Sequence, residues 1–227
     1  MNDVLVFTSK VQNIETVDRN VESSAQVTVN NTVHHFDWCV NCTYNHISRI
    51  SSKCFYEVCL TLIYEEIAPR RELVGLTIMD GNFCSLYPYI LDERDYDSGR
   101  RRYTLTHVEY TPLFKSLNFE EAETFMQRVD EATVKSRVPL FEKGIKHFYP
   151  SFNQEYKLDD WFVSMKTKPL DSGAANHAAS RECLAERDGR TINVLSGKIN
   201  TLFEAERKVL EILLRSWSAS HLCELAT

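Results

Sequence analysis

The residues best suited to binding a ligand are arginines in two short charged stretches, one near residue 70 and one between residues 94 and 102. A guanidinium group stays charged and presents a fork of donors that matches carboxylate and phosphate oxygens. Four acidic residues lie between 92 and 97, so pairing among the charges of an exposed loop is the alternative explanation. The candidate ligand or partner contacts are Arg70, Arg71, Arg94, Tyr96, Arg100, Arg101 and Arg102.

Two cysteines have a spacing that occurs in zinc sites. Cys39 and Cys42 are separated by two residues, and His46 follows them. A continuous strand over residues 36–44 would place the two thiols on opposite faces of a sheet, where they cannot bind the same ion. The sequence therefore predicts no metal site, and the odd total of seven cysteines favours free thiols.

Motifs for catalysis or cofactor binding are missing from the sequence. It contains no G-x-S-x-G, no H-E-x-x-H and no P-loop, and its seven glycines are dispersed. His107 lies near Glu109 on a predicted strand, where a histidine is more often a rim or core residue than a general base. We therefore predict a protein that is not an enzyme and that has no cofactor.

Composition and charge exclude some classes of protein and disfavour others. With 43% hydrophobic and 11% aromatic residues, the 227-residue chain can bury a sizeable core, which excludes wholesale disorder. The net charge of -6 disfavours a dedicated nucleic-acid binder, although a local basic patch would be compatible with it. Neither a leader peptide nor a membrane-spanning stretch is visible, so we expect a cytoplasmic or nuclear protein.

About six segments between residues 25 and 110 have the composition and alternation of strands. Residues 36–44 alternate strictly, whereas residues 54–67 fit both a strand face and a helix stripe. The β-branched and aromatic content of 54–67 favours a strand. Asp80 and Gly81 form a dipeptide typical of tight hairpins. The other strand segments are 27–29, 73–79, 83–91 and 103–110.

Two amphipathic helices have capping residues at their start. Asn118 and Glu121 match a capping box at the start of a helix over residues 118–132, which we expect to pack on the sheet. Thr201 and Glu204 begin the second helix, whose broad apolar face needs a surface to cover it. That surface could be its own domain, a second copy or a groove on a partner. We interpret this segment as an assembly helix, with the apolar residues Leu202, Phe203, Val209, Leu210, Leu213, Leu214 and Trp217.

The pattern predicts an α+β fold class: an antiparallel β-rich sheet or barrel of about six strands, capped by one amphipathic helix. A C-terminal helix follows after a linker. The expected domains are a polar arm over 1–24, the β-rich domain over 25–165, a linker over 166–199 and the terminal helix over 200–227. Residues 138–149 indicate an irregular, partly helical connection.

The passage FKSLNFEEAETF at residues 114–125 leads from the last predicted strand into the capping helix. It is similar to the corresponding passage of the PH/EVH1-like superfold, and the resemblance covers roughly residues 25–135. In that superfold a strongly bent sheet is closed by one C-terminal helix. The resemblance implies a binding module, and no ligand residue of the superfold can be matched to this sequence.

Together these features predict a non-catalytic protein–protein interaction module, an adaptor or complex subunit. Its C-terminal helix would serve assembly with a protein partner or as a homodimer. The alternative is an RNA-binding protein that uses the arginine loops and exposed tyrosines. Salt would separate the two, because nucleic-acid affinity falls steeply with ionic strength.

Overall fold

A computed structural model describes ten parts of the chain: residues 10–19, 22–47, 49–50, 54–68, 72–79, 81, 83–89, 99–170, 182–196 and 199–224, without the side chains of 18, 19, 22 and 217–224. The strands are β1 (Val11–Arg19), β2 (Glu22–Val29), β3 (Thr32–Phe36), β4 (Cys39–Asn41), β5 (Cys54–Glu66), β6 (Leu76–Thr77), β7 (Cys84–Tyr89), β8 (Arg102–His107), β9 (Pro112–Ser116), β10 (Tyr156–Pro169), β11 (Leu184–Asp188) and β12 (Thr191–Leu195). The helices are α1 (Phe119–Arg128), α2 (Glu131–Phe148), α3 (Phe152–Glu155) and α4 (Leu202–Glu224). The predicted α+β fold class, with mostly antiparallel sheets, is confirmed.

The chain divides into two compact units. One combines Met1–Cys54 with Thr167–Thr227, and the other consists of Phe55–Lys166. Strand β1 lies in the range that the sequence analysis assigned to a polar arm, and β11 and β12 lie in the range assigned to a linker. Within the described residues, no helix has the length and hydropathy needed to span a membrane.

The unit Phe55–Lys166 is built on a six-stranded sheet with the order β10-β5-β8-β7-β6, in which β9 also pairs with β5. The pairings of β5 with β8 and β9, and of β7 with β6 and β8, are antiparallel. Strand β5 is buried on both faces over most of its thirteen residues. Such a strand has apolar residues at nearly every position, which explains why its sequence also fitted a helix stripe. The strand interpretation of this segment is confirmed.

Helix α2 covers one face of this sheet. Its Phe141 and Ile145 have no exposed surface, and they pack with Leu62 of β5 and Leu105 of β8 in the main core. The spacing of the buried residues Val134, Phe141 and Ile145 by seven and four positions places them on one helical stripe. The prediction of an irregular connection over 138–149 is wrong, because this stripe continues through Pro139.

Helix α1 begins where the capping pattern predicted. The side-chain oxygen of Asn118 accepts a hydrogen bond from the backbone N–H of Glu121 at 3.1 Å. The helix ends at Arg128 instead of 132, because Asp130 caps α2 by accepting from the backbone N–H of Thr133 at 2.8 Å. The single helix predicted over 118–132 is therefore two elements, the whole of α1 and the first residues of α2.

Replacing Asn118 by alanine should destabilise this unit by about 1 kcal/mol, because one amide of the first turn loses its acceptor. Urea unfolding followed by circular dichroism would measure the change. Asn118→Asp is the matched control, since a carboxylate keeps the acceptor and suits the helix dipole. Equal midpoints for the alanine and aspartate variants would contradict the capping role.

The predicted continuous strand over residues 36–44 is wrong, because the chain divides there into the ends of β3 and β4. The side chain of Asn41 accepts from the backbone N–H of Thr43 at 3.1 Å, which makes a local turn. Tyr44 and Asn45 follow with φ values of 56° and 65°, in the left-handed region. A side chain that bonds to its own neighbouring backbone competes with the strand ladder, and period-two alternation does not reveal this.

The other unit contains two three-stranded sheets, with the orders β1-β2-β3 and β11-β12-β4. The first is an antiparallel meander. In the second, β11 and β12 form an antiparallel hairpin, whereas β12 and β4 pair in parallel.

Helix α4 packs against the β11 region of its own unit. Ala205 and Ser216 are buried, and the guanidinium of Arg187 on β11 donates to the Ser216 hydroxyl at 2.9 Å. Val209 and Leu213 are half-buried. The exposed apolar side chains of the predicted assembly helix are Leu202, Phe203, Leu210 and Leu214, and that of Trp217 lies outside the described residues. One face of the helix thus docks within the chain, and a role in assembly stays a prediction.

Candidate functional site

The face of the six-stranded sheet that points away from helix α2 carries polar and aromatic side chains. On β8, Tyr103, Leu105 and His107 are buried, and the alternate residues Arg102 and Thr104 point to the opposite face. Cross-strand pairing places neighbours from β7 and β6 on this same face. We call it the polar face, and it consists of Thr77, Ser85, Tyr87, Tyr89, Arg102 and Thr104.

Tyr87 is the most exposed ring of the polar face, with 48% of its surface accessible. Its hydroxyl is hydrogen-bonded to the hydroxyl of Thr77. A Cβ atom at Gly75 would lie 3.2 Å from the Tyr87 ring, so glycine at that position lets the ring lie close against the chain. The Thr77 contact and the close approach to Gly75 hold a phenol group in a defined place on an accessible surface.

Arg102 supplies the positive charge of the polar face, with 13% of its side chain exposed. Its guanidinium carbon lies 5.7 Å from the centroid of the Tyr89 ring, which stacks on Phe162 at 5.9 Å. The Nη1 atom lies 3.8 Å from an oxygen of Asp159. A guanidinium has five N–H donors in a planar fork that matches the two oxygens of a carboxylate.

Arg100 has a different environment. Its Nε and Nη2 atoms bond both carboxylate oxygens of Glu65 at 3.0 and 3.2 Å, and Nη2 also bonds Asp159 at 2.9 Å. Lys157 lies 3.0 Å from the same Glu65. Hydrogen bonds from Arg100 and then Lys157 lower the pKa of Glu65 to about 2. These contacts tie strands β5 and β10 to the segment that leads into β8, so Arg100 fits a structural role better than a binding role.

The remaining sequence-predicted contacts divide into two groups. Arg101 is half-buried directly before β8, and its carbonyl accepts from the backbone N–H of Glu66 at 2.8 Å. Arg70, Arg71, Arg94 and Tyr96 lie outside the described residues. The structure therefore brings Arg100 and Arg102 together around Asp159 and places only Arg102 on the polar face.

Acid should weaken the contacts of Glu65 with Arg100 and Lys157, which we call the Glu65 network. The folded-state pKa of Glu65 lies below the ordinary glutamate value of about 4.3, so its contribution is present above that value and is lost as pH falls towards 2. Glu65→Gln should remove this part of the acid sensitivity. Urea midpoints measured between about pH 6 and pH 2.5, in steps of about half a pH unit, would show the difference. Glu131→Gln, in an exposed pair with Lys135, should behave like wild type. Parallel pH profiles for wild type and Glu65→Gln would contradict the network.

A concave region lies beside helix α2, with a volume of about 980 Å³. Its lining is Gly81, His107, Tyr110, Pro139, Glu142, Lys143, Gly144, Lys146, His147 and Phe148. The His107 ring is buried and stacks on Tyr110 at 4.3 Å. Burial lowers its pKa, and its Nδ1 accepts from the backbone N–H of Glu109 at 3.2 Å, so the neutral ring carries its proton on Nε2. This arrangement agrees with the interpretation of His107 as a core or rim residue.

Gly144 allows helix α2 to approach the His107 ring. A Cβ atom at position 144 would lie 2.6 Å from Cδ2 and 2.7 Å from Nε2 of that ring. Gly144→Ala should therefore lower the melting temperature, although alanine in a helix interior is otherwise favoured by about 1 kcal/mol. In a His107→Ala background the same substitution should raise it. Calorimetry of the four proteins tests this, and a lower melting temperature in both backgrounds would contradict the contact.

Cys39 and Cys42 are the two cysteines with the spacing of a zinc site. In the part of the chain that the structure describes, no three His, Cys, Asp or Glu side chains are placed where they could hold an ion together. Cys39 lies on β4, and Cys42 follows in the turn that Asn41 makes. Burial, and then the charge of Cys42, raise the pKa of the Cys39 thiol.

Comparison with characterised proteins identifies relatives of one kind. The chain is 32% identical over 178 residues to the FAD-dependent monooxygenase FPY4 of Fusarium mangiferae, a match to 78% of this chain and 44% of that protein. It is 26% identical over 159 residues to the FAD-dependent monooxygenase kojA of Aspergillus flavus, or 70% of this chain and 35% of that protein. The chain thus spans less than half the length of these relatives. No protein-family profile matches it.

A solved structure with a similar fold is an FAD-dependent oxidoreductase of Pseudomonas aeruginosa. The likeness covers 90% of this chain and 52% of the other, with a TM-score of 0.51 and 10% sequence identity. At this identity, the likeness concerns the fold alone.

These similarities correct four predictions. The resemblance to the PH/EVH1-like superfold is wrong, because the fold is similar to that of an FAD-dependent oxidoreductase. The interaction module, the RNA-binding alternative and the statement that the protein is not an enzyme are contradicted by relatives that are named monooxygenases. A strand meander followed by a capped helix occurs in several α+β folds, so this pattern alone did not identify the function.

The described residues do not fit the part of FAD that a dinucleotide-binding motif holds. Such a motif places a glycine-rich turn between a parallel strand and a helix N-terminus, where backbone N–H groups contact the pyrophosphate. The nearest two glycines of this chain, Gly75 and Gly81, are six positions apart. The connection from β12 to helix α4 contains one glycine, Gly197. FAD binding through this motif is therefore not a property of these residues.

Proposed function

We propose that this chain forms the substrate-binding part of an FAD-dependent oxidoreductase of the monooxygenase type. The observation that carries the proposal is the 32% identity over 178 residues with the Fusarium mangiferae monooxygenase. The similar fold of the Pseudomonas aeruginosa oxidoreductase supports it. The assignment to the substrate side follows from the glycine pattern, which lacks a dinucleotide-binding turn.

The polar face is the proposed substrate surface. Helix α2 and the main core cover the opposite face of the sheet, whereas Tyr87 and Tyr89 on this face are accessible. Arg102 supplies a positive charge with a planar fork of donors, and Tyr89 supplies an aromatic surface beside it. Tyr87 supplies a hydroxyl group that can donate or accept a hydrogen bond.

The arrangement suits a small planar molecule with a carboxylate or another anionic oxygen. The anionic group would bind Arg102, and the ring of the molecule would lie near Tyr89 and Tyr87. In enzymes of this type the flavin supplies the redox chemistry, and the protein binds and orients the substrate. The task of these residues is therefore to fix the position of the substrate.

A titration observed by nuclear magnetic resonance tests the site. Phenylacetate, a planar aromatic carboxylate, is added to the isotope-labelled chain. We expect the largest amide shifts at the polar face, particularly at Tyr87, Tyr89 and Arg102. Shifts confined to the region around His107, or no shifts at any concentration, would contradict the assignment of the polar face.

A further inference from the structure

The concave region beside helix α2 contains a buried polar side chain that the proposed function does not use. His107 lines this region although only 3% of its surface is exposed. Its Nδ1 atom accepts from the backbone N–H of Glu109 at 3.2 Å, so the proton of the neutral ring is on Nε2. Within the described residues, this Nε2–H group donates to no acceptor. A buried donor without a partner is costly, so the group favours a ligand that can accept its hydrogen bond.

Gly144 leaves the Nε2 atom of His107 uncovered where helix α2 passes the ring. A Cβ atom at this position would lie 2.7 Å from Nε2 and would occupy the space that an acceptor needs. Gly144 also lines the concave region, so that space belongs to it. Tyr110 stacks on the imidazole with ring centroids 4.3 Å apart and an angle of 18° between the planes. The stack fixes the plane of the imidazole and therefore the direction of its Nε2–H group.

The carboxylate of Glu142 faces the same region and is bonded to groups other than the histidine. Its Oε1 atom accepts from the hydroxyl of Tyr64 at 3.1 Å, and its Oε2 atom accepts from the side-chain amide of Asn153 at 2.7 Å. The ammonium group of Lys146 lies 4.0 Å from the same Oε2 atom. Glu142 is therefore held by three groups, and the cation whose charge it compensates is Lys146.

Lys143 is a cation of this lining that has no such compensation within the described residues. Its side chain is exposed, and no described carboxylate lies within ion-pair distance of its ammonium group. Lys146 and His147 lie in the last turn of α2, where positive charge suits the helix dipole. Lys143 comes before that turn, so the dipole does not explain its charge. This ammonium group can therefore bind an anion in the concave region.

We propose that the concave region is a separate binding site for a phosphate monoester with an apolar body. The phosphate accepts from the Nε2–H of His107 and binds the ammonium of Lys143, and the apolar body lies against Pro139 and Phe148. A volume of about 980 Å³ suits a small organic molecule and exceeds what an inorganic ion fills. A phosphate offers three terminal oxygens and two charges to the donors of this lining, whereas a carboxylate offers two oxygens and one charge.

Nuclear magnetic resonance with phenyl phosphate tests the site, because it observes this region and the polar face separately. At about pH 7.5 the probe is a dianion, since the second pKa of such a phosphate is about 6. We expect saturable shifts of the Gly144 amide and of the His107 Nε2 nitrogen. Phenyl sulfate, which has a similar shape and one negative charge, should bind at least about fivefold more weakly. No saturable shift at these two positions, or equal affinities for the two probes, would overturn the proposal.

Substitutions in the lining test the two donors. Lys143→Met keeps the length of the side chain and removes its charge, so the affinity measured at the Gly144 amide should fall about fivefold. Lys135→Met is the matched control, because Lys135 lies on the same helix in an exposed pair with Glu131, and it should bind like wild type. His107→Phe keeps a ring and removes the donor, and should weaken binding about tenfold. Circular dichroism establishes folding, and the exposed position 143 decides if His107→Phe does not fold.

Equal affinities of wild type and Lys143→Met would overturn the proposal. Phenyl phosphate shifts confined to Tyr87, Tyr89 and Arg102 would also overturn it and would leave the proposed function standing, because the phosphate would then bind the polar face. Arg102→Gln should leave the affinity measured at the Gly144 amide unchanged, and a loss there would contradict a separate site. If phenyl phosphate binds beside Gly144 but phenylacetate does not shift the polar face, this site stands and the proposed substrate surface is contradicted.

Discussion

Replacing Phe141 by alanine should lower the free energy of unfolding by about 3–5 kcal/mol, the usual cost of removing a large ring from a core. Phe141 has no exposed surface and lies between helix α2 and the sheet. Its ring centroid is 6.4 Å from that of His107 and 6.2 Å from that of Tyr110. A cavity at this position would remove contacts from the helix and from β8 together.

Urea unfolding monitored by circular dichroism measures this loss. Phe148→Ala is the matched control, because Phe148 lies on the same helix and is 46% exposed, and it should cost less than about 1 kcal/mol. Equal losses for the two variants would show that α2 does not cover the sheet through Phe141. The placement of the polar face on the opposite side would then lose its basis.

Replacing Arg102 by glutamine should weaken phenylacetate binding about tenfold or more, because a hydrogen bond to a charged group contributes about 1.5–3 kcal/mol. Arg102→Lys should give an intermediate affinity, since lysine keeps the charge but not the planar fork. Isothermal titration calorimetry measures all three proteins.

Arg128→Gln is the matched control for the change of charge, because Arg128 lies exposed in the last turn of α1. It should leave the affinity unchanged. A loss of equal size in Arg128→Gln and Arg102→Gln would mean that net charge, and not the polar face, decides binding. Wild-type affinity in Arg102→Gln would remove Arg102 from the site.

Local patterns predicted the elements whose sequence and environment agree. Residues 54–67 are rich in β-branched and aromatic side chains and form β5. Asn118 and Glu121 predicted the start of α1, and the structure shows the expected hydrogen bond between them. The cap of α1 depends on two residues three positions apart, and the strand β5 depends only on the burial of its own side chains.

The errors arose where a distant or competing contact decides the outcome. Pro139 and the charged residues around it obscured the stripe of α2, which becomes visible only when residues seven positions apart are compared. Asn41 divides the segment 36–44 because its side chain bonds to the following backbone and also to Asn193. The partner at 193 is 152 positions away, so no local pattern contains it.

The candidate site was predictable in part. Arg102 was among the predicted ligand contacts, but it was assigned to a loop with Arg100, whereas the structure places it on β8 beside Tyr89. Extending the period-two alternation of residues 103–110 by one position would have placed Arg102 and Thr104 on one face. The flavin connection was not predictable from local motifs, because the glycine-rich turn that would reveal it is absent from this sequence.

Incorporation of labelled oxygen tests the central claim most directly. The chain is co-expressed with the part of the Fusarium mangiferae monooxygenase that it does not match, and the complex is incubated with FAD, a nicotinamide reductant, isotope-labelled O₂ and a set of small aromatic carboxylates. Mass spectrometry should find a product that carries one labelled oxygen atom, and its yield should fall in Arg102→Gln but not in Arg128→Gln. A complex that holds FAD and consumes O₂, yet labels no compound or labels it equally in both variants, would contradict a substrate-binding role for the polar face.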